Sequence, residues 1–137
     1  MYCDGASSGN PGPSGIGVVI NLNDDEACRP DKNKSYNISE YIGTATNNVA
    51  EYTALLKGLE KLKSLGIQKI KIFVDSELLA RQINGIYRVR NANLIPLWTK
   101  AMNLLKDFSD YSVTHVPREM NKEADSLARR AATRQKG

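Results

Sequence analysis

The sequence is poor in cysteine and histidine, which limits the zinc sites and covalent cross-links that it can form. Its 137 residues include two cysteines, Cys3 and Cys28, and a single histidine, His115. The cysteines show no CxxC or Cys/His spacing, which argues against a zinc site and against a disulfide framework. We therefore expect two free thiols in a reducing, cytoplasmic environment.

Long apolar runs are also missing. No stretch approaches the roughly 18 apolar residues that a membrane-spanning helix needs, and the first residues, MYCDG, do not form a signal-peptide pattern. The length favours one domain over residues 1–137, with a disordered tail from about residue 132. We expect a monomer with no membrane partner, and the sequence implies no protein partner.

The net charge of +4 is modest but unevenly distributed along the chain. Residues 1–80 carry a net charge of −2, whereas residues 81–137 carry +6. A basic half favours a polyanionic partner, although a solvated surface shows the same asymmetry. The side chains that either hold phosphates or only keep the surface soluble are Arg88, Arg90, Lys122, Arg129 and Arg130.

Hydrophobic periodicity predicts the order βββαβααβα. The predicted strands are Met1–Asp4, Ile16–Leu22, Tyr36–Gly43, Ile67–Val74 and Tyr111–Val116, with a turn cluster over 9–15 and a loop over 23–34. The predicted helices run from Asn47 or Asn48 to Gly66, over Ser76–Ile83, over Leu94–Leu105, and onward from a cap at Asn121. This order is typical of an α/β fold with a five-stranded mixed sheet. Strands 1–3 are expected to be antiparallel, strands 4 and 5 parallel to strand 1, and helices to cover both faces.

Four carboxylates stand in separated segments of this pattern: Asp4, Glu51, Asp75 and Asp125. We place Asp4 and Asp75 at the carboxyl ends of two strands, and the other two acids within helices. Acids gathered from distant segments suit hard divalent cations and two-metal phosphodiester cleavage. Each acid also has a simpler interpretation: Asp4 as a turn residue, Glu51 as a first-turn or capping-box acid, Asp75 as a helix N-cap and Asp125 as a solvent-facing helix residue.

Four segments closely resemble, in order and spacing, the motifs of type 1 ribonuclease H. They are DGASSGNPGPSGIG, TNNVAEYTALLKGL, VDSELLARQING and HVPREMNKEADSLAR, and the resemblance runs from Tyr2 to about Ala131. It implies an RNase H-like fold and an endonuclease that cleaves the RNA strand of RNA–DNA hybrids, leaving a 5′-phosphate and a 3′-hydroxyl. It also implies two Mg2+ ions, for which Mn2+ substitutes, held by Asp4, Glu51, Asp75 and Asp125.

The resemblance assigns further roles by motif position. His115 would assist the attacking water or product release, and Thr46 would grip a phosphate of the DNA strand. The positions that would contact the substrate elsewhere are Gly5, Asn10, Asn47, Asn48, Glu77 and Asn121. Glu77 stands where many relatives have glutamine, and a carboxylate accepts hydrogen bonds but cannot donate them.

One segment departs from the family pattern, and the role of one aromatic residue stays open. The segment NGIYRVRNAN is short and carries only Arg88 and Arg90 in place of a longer basic handle. Trp98 would pack either against a deoxyribose or in the core. Two other functions remain open alongside the leading one: a related nuclease acting mainly on duplex RNA or a DNA end, and a non-catalytic module that binds hybrids.

Overall fold

A computed structural model describes residues 1–22 and 35–133. The strands are β1 (Tyr2–Ser7), β2 (Gly12–Asn21), β3 (Ser35–Ala45), β4 (Lys69–Val74) and β5 (Asp110–His115). The helices are α1 (Asn47–Ser64), α2 (Glu77–Ile83), α3 (Ile95–Leu105) and α4 (Lys122–Ala132), with a 3-10 turn at Arg118–Met120. The predicted loop over 23–34, Cys28 and the tail residues 134–137 lie outside the described residues.

The five strands form one sheet in the order β3-β2-β1-β4-β5. The pairings β1–β2 and β2–β3 are antiparallel, whereas β1–β4 and β4–β5 are parallel. This arrangement confirms the predicted mixed α/β sheet, and the order of its elements matches the predicted order. Within the described residues, no helix is both long and apolar enough to cross a membrane.

Helices cover both faces of the sheet. On one face, α1 packs on β1 and β2 over fully buried side chains that include Ile16, Val18 and Leu55. Each such side chain contributes about 1.5–3 kcal/mol when it leaves water. On the other face, α4 lies along β1, β2 and β3. The first and last helices therefore approach β1 from opposite sides.

The first two strands are longer than predicted. β1 continues to Ser7, and β2 begins at Gly12 rather than at Ile16. The predicted turn cluster over 9–15 therefore shrinks, because Gly12 and Ser14 pair with β3 and Ser14 also pairs with Ser7. Pairing on both sides overrides the turn preference of this glycine- and proline-rich stretch.

Two helix starts also differ from the prediction. Thr46, rather than Asn47 or Asn48, caps α1, and its Oγ1 accepts a hydrogen bond from the Val49 amide at 3.2 Å. Ser76 caps α2 through a 3.1 Å bond from the Leu79 amide. The capping interpretations of Glu51 and Asp75 were therefore wrong, because neither carboxylate caps a helix.

Candidate active site

Asp4 and Asp75 lie side by side because two parallel strands separate at this point. The pairing of β1 with β4 ends at Cys3 and Val74. The next residues along the two strands are Asp4 and Asp75. The sequence predicted that Asp4 lies at the end of its strand. Asp4 instead lies within β1, because β1 continues to Ser7 paired with β2 alone.

Glycines bring the two flanking helices close to Asp4. A side chain at Gly5 would collide with the backbone of Ala50 and Glu51 in α1. A side chain at Gly17, which pairs with Asp4 across the sheet, would collide with the Ala124 carbonyl in α4. The missing Cβ atoms allow α1 and α4 to approach, so that Glu51 and Asp125 are carried towards Asp4.

Three of the four predicted acids converge. Asp4, Glu51 and Asp75 each place one carboxylate oxygen within 4.8 Å of the others. Asp125 lies outside this group of three, but its carboxyl group is close enough to that of Asp4 to raise the pKa of Asp4. It is also held by Arg129, whose Nε lies 3.1 Å from Oδ1 and 3.0 Å from Oδ2. The structure thus gathers all four acids, with Asp125 joined through Asp4.

The crowding of these carboxyl groups changes their acidity. Burial, then the hydrogen bond with Asp125 and the charges of neighbouring acids, raise the pKa of Asp4 to about 9. Burial and the charge of Asp75 raise the pKa of Glu51 to about 7. Nearby cations would reverse these effects, because they stabilise the ionised form.

The same residues fit a divalent cation. Asp75 Oδ2 is buried and has no hydrogen-bond partner among the described residues. An oxygen in that state carries a large desolvation cost unless a cation or donor faces it. Clustered carboxylate oxygens are the ligands that Mg2+ and related hard cations prefer. The cluster therefore suits a divalent ion, and the assignment of each acid as a ligand stays a prediction.

Two neighbours of Glu51 were not found from the sequence. The Ser76 side chain hydrogen-bonds to Glu51 and the Arg118 charge lies close by, and both oppose the rise in the pKa of Glu51. Ser76 thus interacts with the Glu51 carboxylate and also caps α2. No pattern in the sequence links these residues, because the three belong to separate segments of the chain.

The predicted substrate residues Asn10 and Asn47 hold the β1–β2 turn against the start of α1. Asn10 Oδ1 accepts from the Asn47 amide at 2.9 Å, and Asn47 Oδ1 accepts from the Ser7 amide at 2.9 Å. Asn10 has a φ of 39°, in the left-handed region that asparagine tolerates. The two residues fix one edge of the face that carries the acids.

A polar cleft of about 200 Å³ lies beside this turn. Its lining consists of Asn10, Thr46, Asn48, Val49, Asn91, Asn93 and Leu94. The sequence prediction included Thr46, Asn10 and Asn48 but missed Asn91 and Asn93. The only available signal was their place in a short polar segment before α3.

Other predicted site residues are placed as follows. His115 is exposed and pairs with Val74, the residue before Asp75. Glu77 is exposed and forms an ion pair with Arg81 at 2.8 Å. Trp98 is half-buried against the core and donates from Nε1 to the Gln82 carbonyl at 3.3 Å. These contacts support the core interpretation of Trp98.

Two of the residues predicted to contact the substrate are buried. Asn121 is only 1% exposed and donates from Nδ2 to the Cys3 carbonyl at 2.9 Å, so its side chain does not reach the surface. Gly5 is buried, and its amide donates to Asp4 Oδ1 at 2.9 Å. Close packing of α1 explains the glycine, and a substrate contact there stays a prediction.

Comparisons with known proteins agree with this geometry. The family model described as "Reverse transcriptase-like" matches residues 2–131. Ribonuclease HI of Halobacterium salinarum is 39% identical over 130 residues, covering 95% of this chain and 62% of that protein. The chain therefore spans less than two thirds of that relative's length.

Solved structures show the same likeness. The crystal structure of RNase H1 from Halobacterium salinarum has a TM-score of 0.83 and 38% identity, covering 96% of this chain and 95% of the other. LC11-RNase H1, solved in complex with an RNA/DNA hybrid, has a TM-score of 0.82 and 37% identity, with coverage of 96% and 94%.

The mixed sheet and the acids gathered where β4 leaves β1 define a protein of the ribonuclease H-like class. Within that class, the chain belongs to the type 1 ribonuclease H family.

Proposed function

We propose that the chain is an endonuclease that hydrolyses the RNA strand of RNA–DNA hybrids, with Mg2+ as its cation. The products would carry 5′-phosphate and 3′-hydroxyl ends. The observation that carries this proposal is the convergence of Asp4, Glu51 and Asp75 where β4 leaves β1. The likeness to a ribonuclease HI and to an RNase H1 solved with an RNA/DNA hybrid supports the choice of substrate.

In this proposal, Asp4, Glu51 and Asp75 hold the cation, and Asp125 completes the set through its contact with Asp4. A bound pair of divalent ions supplies an activated water and stabilises charge on the leaving 3′-oxygen. Mn2+ accepts the same oxygen ligands and would substitute for Mg2+. The chain contributes rigidity, because two of the acids lie in helices, Asp4 lies within a strand and Asp75 directly follows one.

His115 supplies a group that can move protons at the edge of this cluster. It pairs with Val74 and is exposed, so water and substrate can reach its ring. An imidazole ring carries two nitrogens that can accept or donate a proton. We assign it to assisting the attacking water or the departure of product.

The substrate residues suit a hybrid that is read by shape. Asn10 and Asn47 use their side-chain oxygens within the protein, which leaves their NH2 groups to donate to base edges. The cleft around Thr46 combines a hydroxyl with amides, which suits a phosphate of the DNA strand. Such contacts position a duplex without reading its sequence.

Cleavage of labelled substrates tests this proposal directly. RNA–DNA hybrid, duplex RNA and duplex DNA are incubated with the protein in Mg2+, in Mn2+ and in chelator. We expect cleavage of the RNA strand of the hybrid in either metal, none in chelator, and none by Asp4→Asn. Asp110→Asn removes an exposed acid at the start of β5 and should cleave as the parent does.

The alternatives appear as different outcomes of the same assay. Faster cleavage of duplex RNA or of DNA ends would indicate a nuclease of other specificity. Binding of the hybrid without cleavage in any metal would indicate a binding module and would refute the proposed function.

A further inference from the structure

Asn121 joins the segments that carry Asp4 and Asp125. Its Nδ2 donates to the Cys3 carbonyl at 2.9 Å, a contact between residues 118 positions apart. Its own main-chain carbonyl accepts from the Asp125 amide at 3.0 Å. The residue before Asp4 and the backbone of Asp125 are therefore linked through one buried side chain, of which 1% is exposed.

The position of this contact explains why an amide is needed. The Cys3 carbonyl lies where the pairing of β1 with β4 ends. A buried carbonyl without a donor is destabilising, and Asn121 supplies a donor at this point. Only the NH2 of an asparagine donates, so the contact also fixes the orientation of the amide.

Asn121 makes this contact at the expense of others. Its Oδ1 is buried and has no hydrogen-bond partner among the described residues. It occupies the N-cap position of α4, yet within the described chain its side chain makes no capping hydrogen bond. An asparagine that served only as a cap would offer its oxygen to the first-turn amides. The side chain instead serves the junction between α4 and β1.

We infer that Asn121 is a positioning residue that holds Asp125 against Asp4 by tying the start of α4 to the Cys3 carbonyl. Without this tie, the first turn of α4 loses a hydrogen bond to β1, and we expect the carboxyl groups of Asp4 and Asp125 to move apart. The consequence for catalysis rests on the proposed function, whereas the geometric consequence does not. Asn121 itself touches neither the reacting atoms nor the substrate.

The test compares Asn121→Ala with Asn84→Ala. Asn84 donates from Nδ2 to the Val113 carbonyl at 3.0 Å, so the control removes the same chemical contact to another strand. In a crystal structure of Asn121→Ala we expect the Asp4 and Asp125 carboxyl groups to lie beyond hydrogen-bonding distance. In the Asn84→Ala structure they should stay in contact.

Two further measurements test whether the change in geometry weakens Mg2+ binding and slows hybrid cleavage. For Asn121→Ala, we expect calorimetry to show Mg2+ binding that is weaker by about 10-fold, as for other residues that orient metal ligands. We expect kcat to fall by roughly 10- to 100-fold, because small misplacements of reacting groups are costly, while KM for the hybrid stays within about twofold. Asn84→Ala should change neither quantity by more than its loss of stability explains.

The crystal structure decides the inference. An Asn121→Ala structure that keeps the Asp4–Asp125 contact overturns it. If the alanine variant does not fold, Asn121→Leu takes its place, because the leucine side chain has nearly the same shape but cannot donate to the Cys3 carbonyl. Absence of hybrid cleavage by the parent protein would refute the proposed function. The crystal structures of the variants would still decide whether Asn121 positions Asp125.

Discussion

Asp4 lies directly opposite Gly17 in the antiparallel pairing of β1 with β2. Because Gly17 has no side chain, the backbone of α4 at Ala124 can approach the sheet at this pair. Asp125 is the next residue along α4, and its carboxyl group is close enough to Asp4 to raise the pKa of Asp4. A glycine with no chemical role of its own therefore helps to determine the geometry of the acids.

Replacing this glycine should disturb stability and activity together. The new Cβ in Gly17→Ala collides with backbone atoms of α4, which cannot move independently. We expect a loss of about 1–3 kcal/mol in the free energy of unfolding, as for other overpacked sites, and a clear fall in kcat. Gly58→Ala is the matched control, because its Cβ meets the side chains of Met1 and Val18 rather than backbone atoms, and the change favours the helix. Equal activity losses in the two variants would argue against this account of Gly17.

Removing one of the clustered acids should stabilise the metal-free protein. In chelator, Asp4→Asn and Asp75→Asn relieve repulsion and burial of charge, so we expect each to add roughly 0.5–2 kcal/mol to the stability while activity is lost. Thermal melting in chelator and hybrid cleavage in Mg2+ measure the two effects. Asp107→Asn, which breaks an exposed ion pair with Lys63, should not raise the melting temperature. A fall in melting temperature for both site variants would contradict a repulsive cluster.

The metal-free protein should become less stable as pH rises. The pKa of Asp4 rises from 3.8 to about 9 on folding, and that of Glu51 from 4.5 to about 7. The folded state therefore holds protons that the unfolded state releases, so the stability that is present below about pH 4 is lost as pH rises towards 9. Denaturant unfolding in chelator between pH 5 and pH 9 measures this loss.

Two comparisons strengthen the pH experiment. Asp4→Asn should flatten the dependence, because its amide does not titrate, so its gain over the parent grows towards pH 9. Mg2+ should stabilise the parent more at pH 9 than at pH 6, since ligands must lose their protons to bind metal. A parent profile that rises between pH 5 and pH 9 in chelator would contradict the raised pKa values.

The cleft beside Thr46 should affect substrate binding rather than the chemical step. Asn93 is exposed and lines this cleft. Losing one hydrogen bond of about 1 kcal/mol corresponds to a rise in KM of roughly fivefold for Asn93→Ala, with kcat little changed. Asn103→Ala removes an exposed amide from α3, outside the cleft, and should leave KM unchanged. An unaltered KM in both variants would show that Asn93 does not contribute to substrate binding in this cleft.

Much of this site follows from local sequence. The apolar periodicity places a strand before Asp75 and a helix around Glu51, and these patterns predict the observed order of elements. The four motifs identify the acids because each motif is contiguous. Strand lengths were less predictable, since Gly12 and Ser14 become strand residues only through pairing with β3.

The parts that could not be predicted depend on contacts between distant segments. The sequence around Asn121 reads as an ordinary helix cap, yet its amide bonds to a carbonyl 118 residues away. Ser76 likewise reads as a cap, and its second contact, with Glu51, exists only once α1 and β4 are in place. Asn91 and Asn93 meet Thr46 only across the folded surface.

The separation of the acids along the chain also links the cluster to the order of synthesis. Asp125 belongs to the last helix of the described chain, while Asp4 belongs to the first strand. A nascent polypeptide in which α4 has not yet docked lacks one of the four acids near Asp4. The complete cluster therefore forms only when the last helix packs on the sheet.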